Sequence, residues 1–284
     1  MQNKLKIQSS LSIVIPLHNK GPNIFETIKQ ITNKISSENI EILIIENGSS
    51  DNSEIEAKKA IKEFGNEYKI YFFKSKIGLG SALKKGFAES KNNWLYFIPA
   101  DFAFGISDIE YIHANKLFER YEAFTGSKGH PDSKIQRKVS RKIYSNIYNK
   151  ITSKLFKLSI SDTQGTLILK KEIYEKLDKI ESNGFLFSTE IIVKLFNSNI
   201  EIIEVPIKET NFNSVSTVSP FKDGFKMFIG LLKLKKQNFS WASRYYSKSK
   251  KVFIQITSQS LRIENESISL NENLDLTIHY LSVL

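Results

Sequence analysis

The first hundred residues alternate short, fully apolar runs with segments of helical periodicity, and few folds accommodate that order. Leu11-Ser-Ile-Val-Ile-Pro16 is a β-branched run closed by proline and is expected to be a buried strand. Ile24, Ile28, Ile31 and Ile35 then fall on one face of a helix over 23–35. Ile40–Ile45 predicts a second buried strand, Ser53–Phe64 a helix, Lys69–Phe73 a third strand, Ser81–Ser90 a helix and Trp94–Ile98 a fourth strand. Strands spaced by single helices require crossover connections. The expected class is therefore α/β, a mostly parallel sheet flanked by helices.

Beyond Gly126 the pattern changes. Nine basic residues fall between Lys128 and Lys157, opposed only by Asp132. Val139, Ile143, Ile147, Ile151 and Leu155 recur every fourth position, so a basic amphipathic helix is expected near 134–158. Further helices are expected over Phe185–Phe196 and, again basic and amphipathic, over 221–236, with a strand over Ile200–Pro206. Alternation returns at Val252–Ile256, Leu261–Ile263 and Leu274–Leu281. The expected organisation is one domain over 1–237 and a small β-rich C-terminal appendage over 238–284.

Composition bears on partners and compartment. The 284 residues carry 40% hydrophobic and 25% charged side chains, the balance of a globular chain rather than a disordered one. Without cysteine there is no disulfide framework, thiolate metal site or cysteine nucleophile. A net charge of +11 favours polyanions such as phosphate-bearing substrates or an anionic membrane surface, and equally suits a lysine-rich, soluble surface. Nucleic acid is not the expected partner, because no recognition motif with interleaved aromatics accompanies the charge. Neither a signal peptide nor a run long enough to span a bilayer is evident, so the expected location is cytoplasmic, with peripheral contact at the inner face of a membrane through the basic helices.

In open α/β sheets, ligands bind beyond the carboxyl ends of the strands, near the point where strand order reverses. The segments following the four strands are Pro16-Leu17-His18-Asn19, Glu46-Asn47-Gly48-Ser49-Ser50-Asp51, Lys74 to Gly80, and Pro99-Ala100-Asp101. Each has a local explanation as a turn or cap. Together they supply what a nucleoside diphosphate requires: polar hooks for the base, close backbone approach to the pyrophosphate, and a carboxylate for a divalent cation.

The runs IVIPLHN, EILIIENGSSDNS, GLGSALKKGF and WLYFIPAD resemble the inverting family-2 glycosyltransferases of GT-A fold. Gly126-Ser127-Lys128 stands where polyprenyl-phosphate sugar transferases carry Gly-Ser-Arg. Asp162-Thr163-Gln164-Gly165, Phe187-Ser188-Thr189-Glu190 and Ile203-Glu204-Val205-Pro206 are similar to stretches of the dolichyl-phosphate glucosyl- and mannosyltransferase subgroup. The resemblance implies a nucleotide-sugar donor (a UDP- or GDP-sugar) and Mg2+ or Mn2+ as cofactor. It places Pro16, Asn19, Glu46, Gly48, Lys76, Gly78, Asp101 and Gln164 around the donor, with Asp101 as metal ligand. It places Lys128, Asp162 and Glu190 at the catalytic end, facing sugar and acceptor.

This sequence departs from the resembled pattern at identifiable positions. Pro99 replaces the first carboxylate of the Asp-x-Asp metal motif, Lys20 follows Asn19 where glutamate is usual, Lys128 replaces arginine, and Ser188 replaces aspartate. Two acceptor classes follow from the resemblance, a polyprenyl (dolichyl-type) phosphate and a saccharide hydroxyl in glycan assembly at the cell envelope. A third reading is a nucleotide-sugar-binding homologue with impaired catalysis. A hydroxyl acceptor needs a general base, for which Asp162 or Glu190 is available; a phosphate acceptor is already anionic and needs cations instead.

Overall fold

The computed structural model describes residues 4–136, 139–210 and 226–236. The chain forms two compact units, Met1–Leu232 and Lys233–Leu284. The described residues belong to the first, apart from 233–236. The expected β appendage and its boundary at 238 lie outside the described residues.

Among the described residues seven strands form one sheet: β1 (Leu11–Leu17), β2 (Ile40–Glu46), β3 (Lys69–Lys74), β4 (Trp94–Phe97), β5 (Ala123–Ser127), β6 (Thr166–Lys170) and β7 (Ile202–Pro206). Their spatial order is β3-β2-β1-β4-β6-β5-β7. β1 to β4 are mutually parallel, β6 runs antiparallel between β4 and β5, and β7 pairs parallel to β5. The helices are α1 (Gly21–Lys34), α2 (Ser53–Phe64), α3 (Leu79–Glu89), α4 (Ser107–Ala114), α5 (Val139–Phe156), α6 (Lys171–Lys176) and α7 (Phe187–Asn197), and residues 226–236 are also helical.

The period-two geometry of the central strands explains why both faces must be covered. Along β1, Leu11, Ile13, Ile15 and Leu17 point into one apolar layer with Ile24, Ile28 and Ile31 of α1, while Val14 points into the other with Leu83 and Phe87 of α3. β2 divides likewise, Ile42 and Ile44 to the first layer, Leu43 and Ile45 to the second. Each of these side chains is fully buried and contributes roughly 1.5–3 kcal/mol relative to exposure. Gly86 of α3 lets the helix lie directly on this sheet, since a Cβ there would meet Val14 Cγ1 at 2.3 Å.

The basic helix is shorter than its composition indicates. It begins at Val139 rather than near 134, because residues 128–136 form a turn and extended segment through Pro131 that bridges Lys134 to Lys208. Its four-residue repeat is not a core stripe: Ile143 and Ile147 are 51% and 50% exposed. The inward side carries polar groups beside the buried Phe156. Tyr148 Oη bonds Thr189 Oγ1 at 2.9 Å, and Thr152 is fully buried.

Candidate functional site

The order of strands reverses between β1 and β4. β1 continues outward to β2 and β3, and β4 begins the other half of the sheet. The loops after these strands therefore meet in the crevice where α/β ligands bind. Two open clefts, lined by residues such as Trp94, Lys170 and Glu122, sit at the amino-terminal end of β4 instead, away from these loops.

Asn19 joins the first loop to the second. Its φ is 50°, a left-handed conformation that asparagine tolerates. Its Oδ1 accepts from Ser50 N at 2.8 Å, and its own N donates to Ser49 Oγ at 3.1 Å. Asp51 ties the two helices that follow: Oδ2 accepts from Gly21 N at 3.1 Å and Oδ1 from Ser53 N at 2.9 Å. Burial opposes ionisation of Asp51, but the Ser53 and Gly21 donors outweigh it and hold its pKa below the usual value. Glu46 is buried and accepts from Ser49 N, while Pro16 is enclosed within β1. Asn47, read from sequence only as part of a turn, is 3% exposed, and its Oδ1 is a buried acceptor with no hydrogen-bond partner among the described residues. Gly48 has φ 85° and sits against Ile77, where a Cβ would meet Cγ1 at 2.6 Å.

The third loop is covered by another segment of the chain. Lys76 is exposed, and Gly78 has φ 123°. A Cβ at Gly78 would lie 2.2 Å from Asn183 O, and one at Gly80 would lie 2.5 Å from Ser182 O. The glycines therefore admit the 182–183 backbone. Glu190 of α7 holds that backbone in place: Oε1 accepts from Glu181 N at 2.9 Å, Oε2 from Ser182 N at 2.8 Å, and Lys194 Nζ lies 3.3 Å from Oε1. Burial pushes the Glu190 pKa up, yet these donors and the Lys194 ammonium leave it below its ordinary value.

The fourth loop carries Asp101. Thr27 Oγ1 donates to Ala100 O at 2.8 Å, and Phe102 N closes a turn on Pro99 O at 2.9 Å. Lys20 Nζ lies 3.3 Å from Asp101 Oδ2, with the two side chains 16% and 17% exposed. The expected metal ligand is thus ion-paired to a lysine. No group of three His, Cys, Asp or Glu side chains is placed to hold a metal ion among the described residues.

A second charged centre lies across β5 and β6. Lys128 Nζ is 2.5 Å from Asp162 Oδ2 and 2.9 Å from Gln164 O, and it sits 5.8 Å from the Phe104 ring centroid. Asp162 is fully buried. Its Oδ2 also accepts from Lys128 N, and its Oδ1 accepts from Gln164 N at 3.0 Å. Desolvation raises its pKa, but the Lys128 ammonium and these hydrogen bonds reverse the direction, so it stays ionised. Gln164 Nε2 donates to Phe185 O at 3.2 Å, linking this centre to the segment before α7.

Asp108 was not legible in the sequence, since beside Glu110 in the first turn of α4 it reads as an ordinary acidic helix start. It is fully buried, accepts from Tyr96 Oη and from Thr166 Oγ1 at 2.5 Å each, and has its pKa raised by burial. It joins α4 to β4 and β6.

Comparison with known proteins gives consistent results. The chain is 27% identical over 220 residues to dolichyl-phosphate beta-glucosyltransferase of Saccharomyces cerevisiae, covering 69% of this chain and 66% of that one. It is 24% identical over 204 residues to glycosyltransferase AglD of Haloferax volcanii, covering 69% of this chain and 32% of that one. The chain thus spans 32% and 66% of the length of these two relatives. Glucosyl-3-phosphoglycerate synthase of Mycobacterium tuberculosis, solved with Mn2+, UDP-glucose and phosphoglyceric acid, superposes with a TM-score of 0.61 at 14% identity, covering 81% of this chain and 80% of that one. That likeness establishes the GT-A type of mostly parallel sheet. The glycosyl transferase family 2 model matches residues 12–178, more than half of the chain, and the chain belongs to that family.

Proposed function

We propose that this chain transfers a sugar from a nucleotide-diphosphate sugar, with inversion, to a phosphate-bearing acceptor, of which a polyprenyl (dolichyl-type) phosphate is the favoured example. The observation that carries the acceptor class is the engagement of both candidate carboxylates. Asp162 is neutralised by Lys128, and Glu190 is saturated by two backbone N–H groups and Lys194. Each has a depressed pKa, which makes it a weak proton acceptor. A sugar hydroxyl would need a base poised nearer neutrality. A phosphate needs none.

In this reading an acceptor phosphate oxygen attacks the anomeric carbon as the bond from that carbon to the diphosphate oxygen breaks. The nucleoside diphosphate departs with the electron pair, and no proton moves. Asn47 Oδ1, the buried acceptor without a partner, takes a hydrogen bond from the nucleoside, beside Glu46. Lys128 guides the acceptor phosphate as a point charge, and Asp162 and Gln164 fix its position. Glu190 acts through the 181–183 backbone, which closes over Gly78 and Gly80. The mycobacterial structures hold Mn2+ or Mg2+ with UDP. Among the described residues no three carboxylate or imidazole groups cluster at Asp101, whose Oδ2 lies 3.3 Å from the Lys20 ammonium.

Membrane contact is supported by two exposed apolar faces. Ile143 and Ile147 stand out on α5, and Phe228, Ile229 and Leu232 on the helical segment 226–232. Basic residues follow the first at Lys150 and Lys154. Such faces suit an anionic interface. Among the described residues no helix is long and apolar enough to cross a membrane.

The test is transfer of radiolabelled sugar from UDP-glucose, GDP-mannose and related donors into polyprenyl phosphate, followed by proton NMR of the product's anomeric centre. The expected product carries the anomeric configuration opposite to the donor's. A product of retained configuration, or label found only on saccharide hydroxyls, would overturn the reading.

A further inference from the structure

We infer that Asp108 is a positioning residue, which sets, through the Thr166 hydroxyl, where the Lys128–Asp162 centre stands. What that centre does rests on the proposed function; that Asp108 places it rests on geometry alone. The carboxylate is fully buried and is shared between two strands. Its Oδ1 accepts from Tyr96 Oη of β4 and from Ile109 N at 2.8 Å, and its Oδ2 accepts from Thr166 Oγ1 at the first residue of β6. An ionised carboxylate only accepts, so both hydroxyls are directed toward it as donors. Thr166 pairs with Gly126 of β5, and its O accepts from Thr125 Oγ1 at 3.1 Å. A Cβ on Gly126 would lie 2.1 Å from Thr166 Oγ1 and 3.4 Å from Asp108 Oδ2, so glycine there makes room for the hydroxyl. The tethers from this junction to the centre are short. Lys128 follows Gly126 by two residues, and Asp162 precedes Thr166 by four.

The same turn of α4 also holds the segment that follows Lys128. Ser107 Oγ accepts from Lys208 N at 2.8 Å. The neighbouring Ile207 N donates to Ser133 Oγ at 2.9 Å, and Ser133 Oγ donates to Ser127 O at 2.6 Å. Two consecutive residues of α4 therefore fix β5 and the Lys128 loop, one through β6 and one through the end of β7. The helix itself starts six residues after Asp101, so its first turn joins the donor-side loop to the acceptor centre. An apolar side chain at position 108 would fill the space but could not direct two hydroxyls, and burial of a carboxyl group is unfavourable unless it makes such bonds.

Tyr96→Phe and Thr166→Val each remove one buried hydroxyl from the same carboxylate, on opposite sides of it, and so separate positioning from general support of the core. The amides of Lys128 and Gln164 both donate to Asp162 at 3.0 Å, and their hydrogen exchange, followed by NMR, reads the centre without any ligand. Thr166→Val should speed exchange at these two amides at least tenfold. Tyr96→Phe, at a similar loss of melting temperature, should leave them within about twofold of wild type. Thr166→Ser should match wild type because it keeps the hydroxyl, and Thr166→Ala, which removes it without the bulk of valine, should behave as Thr166→Val. In transfer to polyprenyl phosphate, Thr166→Val should lower kcat/KM for the acceptor at least tenfold, with UDP or GDP affinity by calorimetry unchanged, while Tyr96→Phe changes neither. Exchange that rises equally in the tyrosine and threonine variants, or in neither, overturns the inference, as does a loss of transfer by Tyr96→Phe as large as that by Thr166→Val. A wild type that transfers no sugar to polyprenyl phosphate overturns the proposed function alone, and the exchange comparison still decides the role of Asp108.

Discussion

Lys128, at the end of β5, and Asp162, just before β6, meet at 2.5 Å between nitrogen and oxygen with the carboxylate wholly buried. Removing one partner strands the other. Lys128→Met should therefore destabilise the fold by about 3 kcal/mol, because an ionised buried carboxylate loses its countercharge. Asp162→Asn should cost less, since Lys128 Nζ keeps its hydrogen bond to Gln164 O at 2.9 Å. The double variant should recover part of the loss. Urea unfolding of the four proteins measures this, and additive losses would contradict a direct pairing.

Acid titration should separate two kinds of carboxylate. Asp162 and Glu190 have folded-state pKa values below their ordinary values. Their contribution is complete above the unfolded-state pKa and disappears as pH falls through the folded one, so acid unfolding should set in below about pH 4. Asp108 runs the other way. Its folded pKa is raised above 3.8, so the fold loses stability as pH rises from the unfolded-state pKa through the folded one. Relative to Asp108→Asn, the wild type should lose stability as pH rises from 4 to 7. Melting temperatures of both proteins across that range provide the check, and a constant difference would exclude ionisation of Asp108 as the cause.

Gly78→Ala should cost about 2–4 kcal/mol, from the left-handed φ and from contact with Asn183 O, and should also weaken nucleotide binding. Glu190→Gln keeps the side-chain shape but weakens its hold on the 181–182 amides. It should lower turnover more than stability, with faster amide hydrogen exchange at 181–183. Unchanged exchange there would detach Glu190 from loop positioning.

The pattern of the sheet's first half was plain in the sequence because β1, β2 and β4 are buried on both faces. Leu11, Ile40, Ser53 and Trp94 begin their elements at the positions expected. β5 and β6 were not, since each is only five residues long and Gly126 and Gly165 looked like motif residues alone. Their glycines are needed for the antiparallel pairing: a Cβ on Gly165 would lie 1.6 Å from Gly126 O. Many of the candidate residues stand just beyond strand ends, as their place in the sequence led one to expect. Their partners were not, because Lys20 with Asp101, and Glu190 with the 181–182 amides, depend on loops that only the folded sheet brings together. Periodicity at α5 identified an amphipathic helix but not where its apolar face lies, and Ile143 and Ile147 are half exposed.

That outer face gives a separable prediction. Ile143→Glu with Ile147→Glu should change unfolding free energy by no more than about 0.5 kcal/mol per site, since both side chains are already half exposed. The same pair should abolish sedimentation with anionic lipid vesicles. Undiminished sedimentation would show that α5 is not the contact.

The most direct test of the central claim is a rate comparison between two acceptors that differ only in the phosphate, a polyprenyl phosphate and the corresponding polyprenol, with the donor held saturating. The account predicts turnover with the phosphate, loss of at least a hundredfold with the alcohol, and a matching loss with the phosphate when Lys128 is changed to methionine. Equal rates with the two acceptors, or a preference for the alcohol, would contradict it.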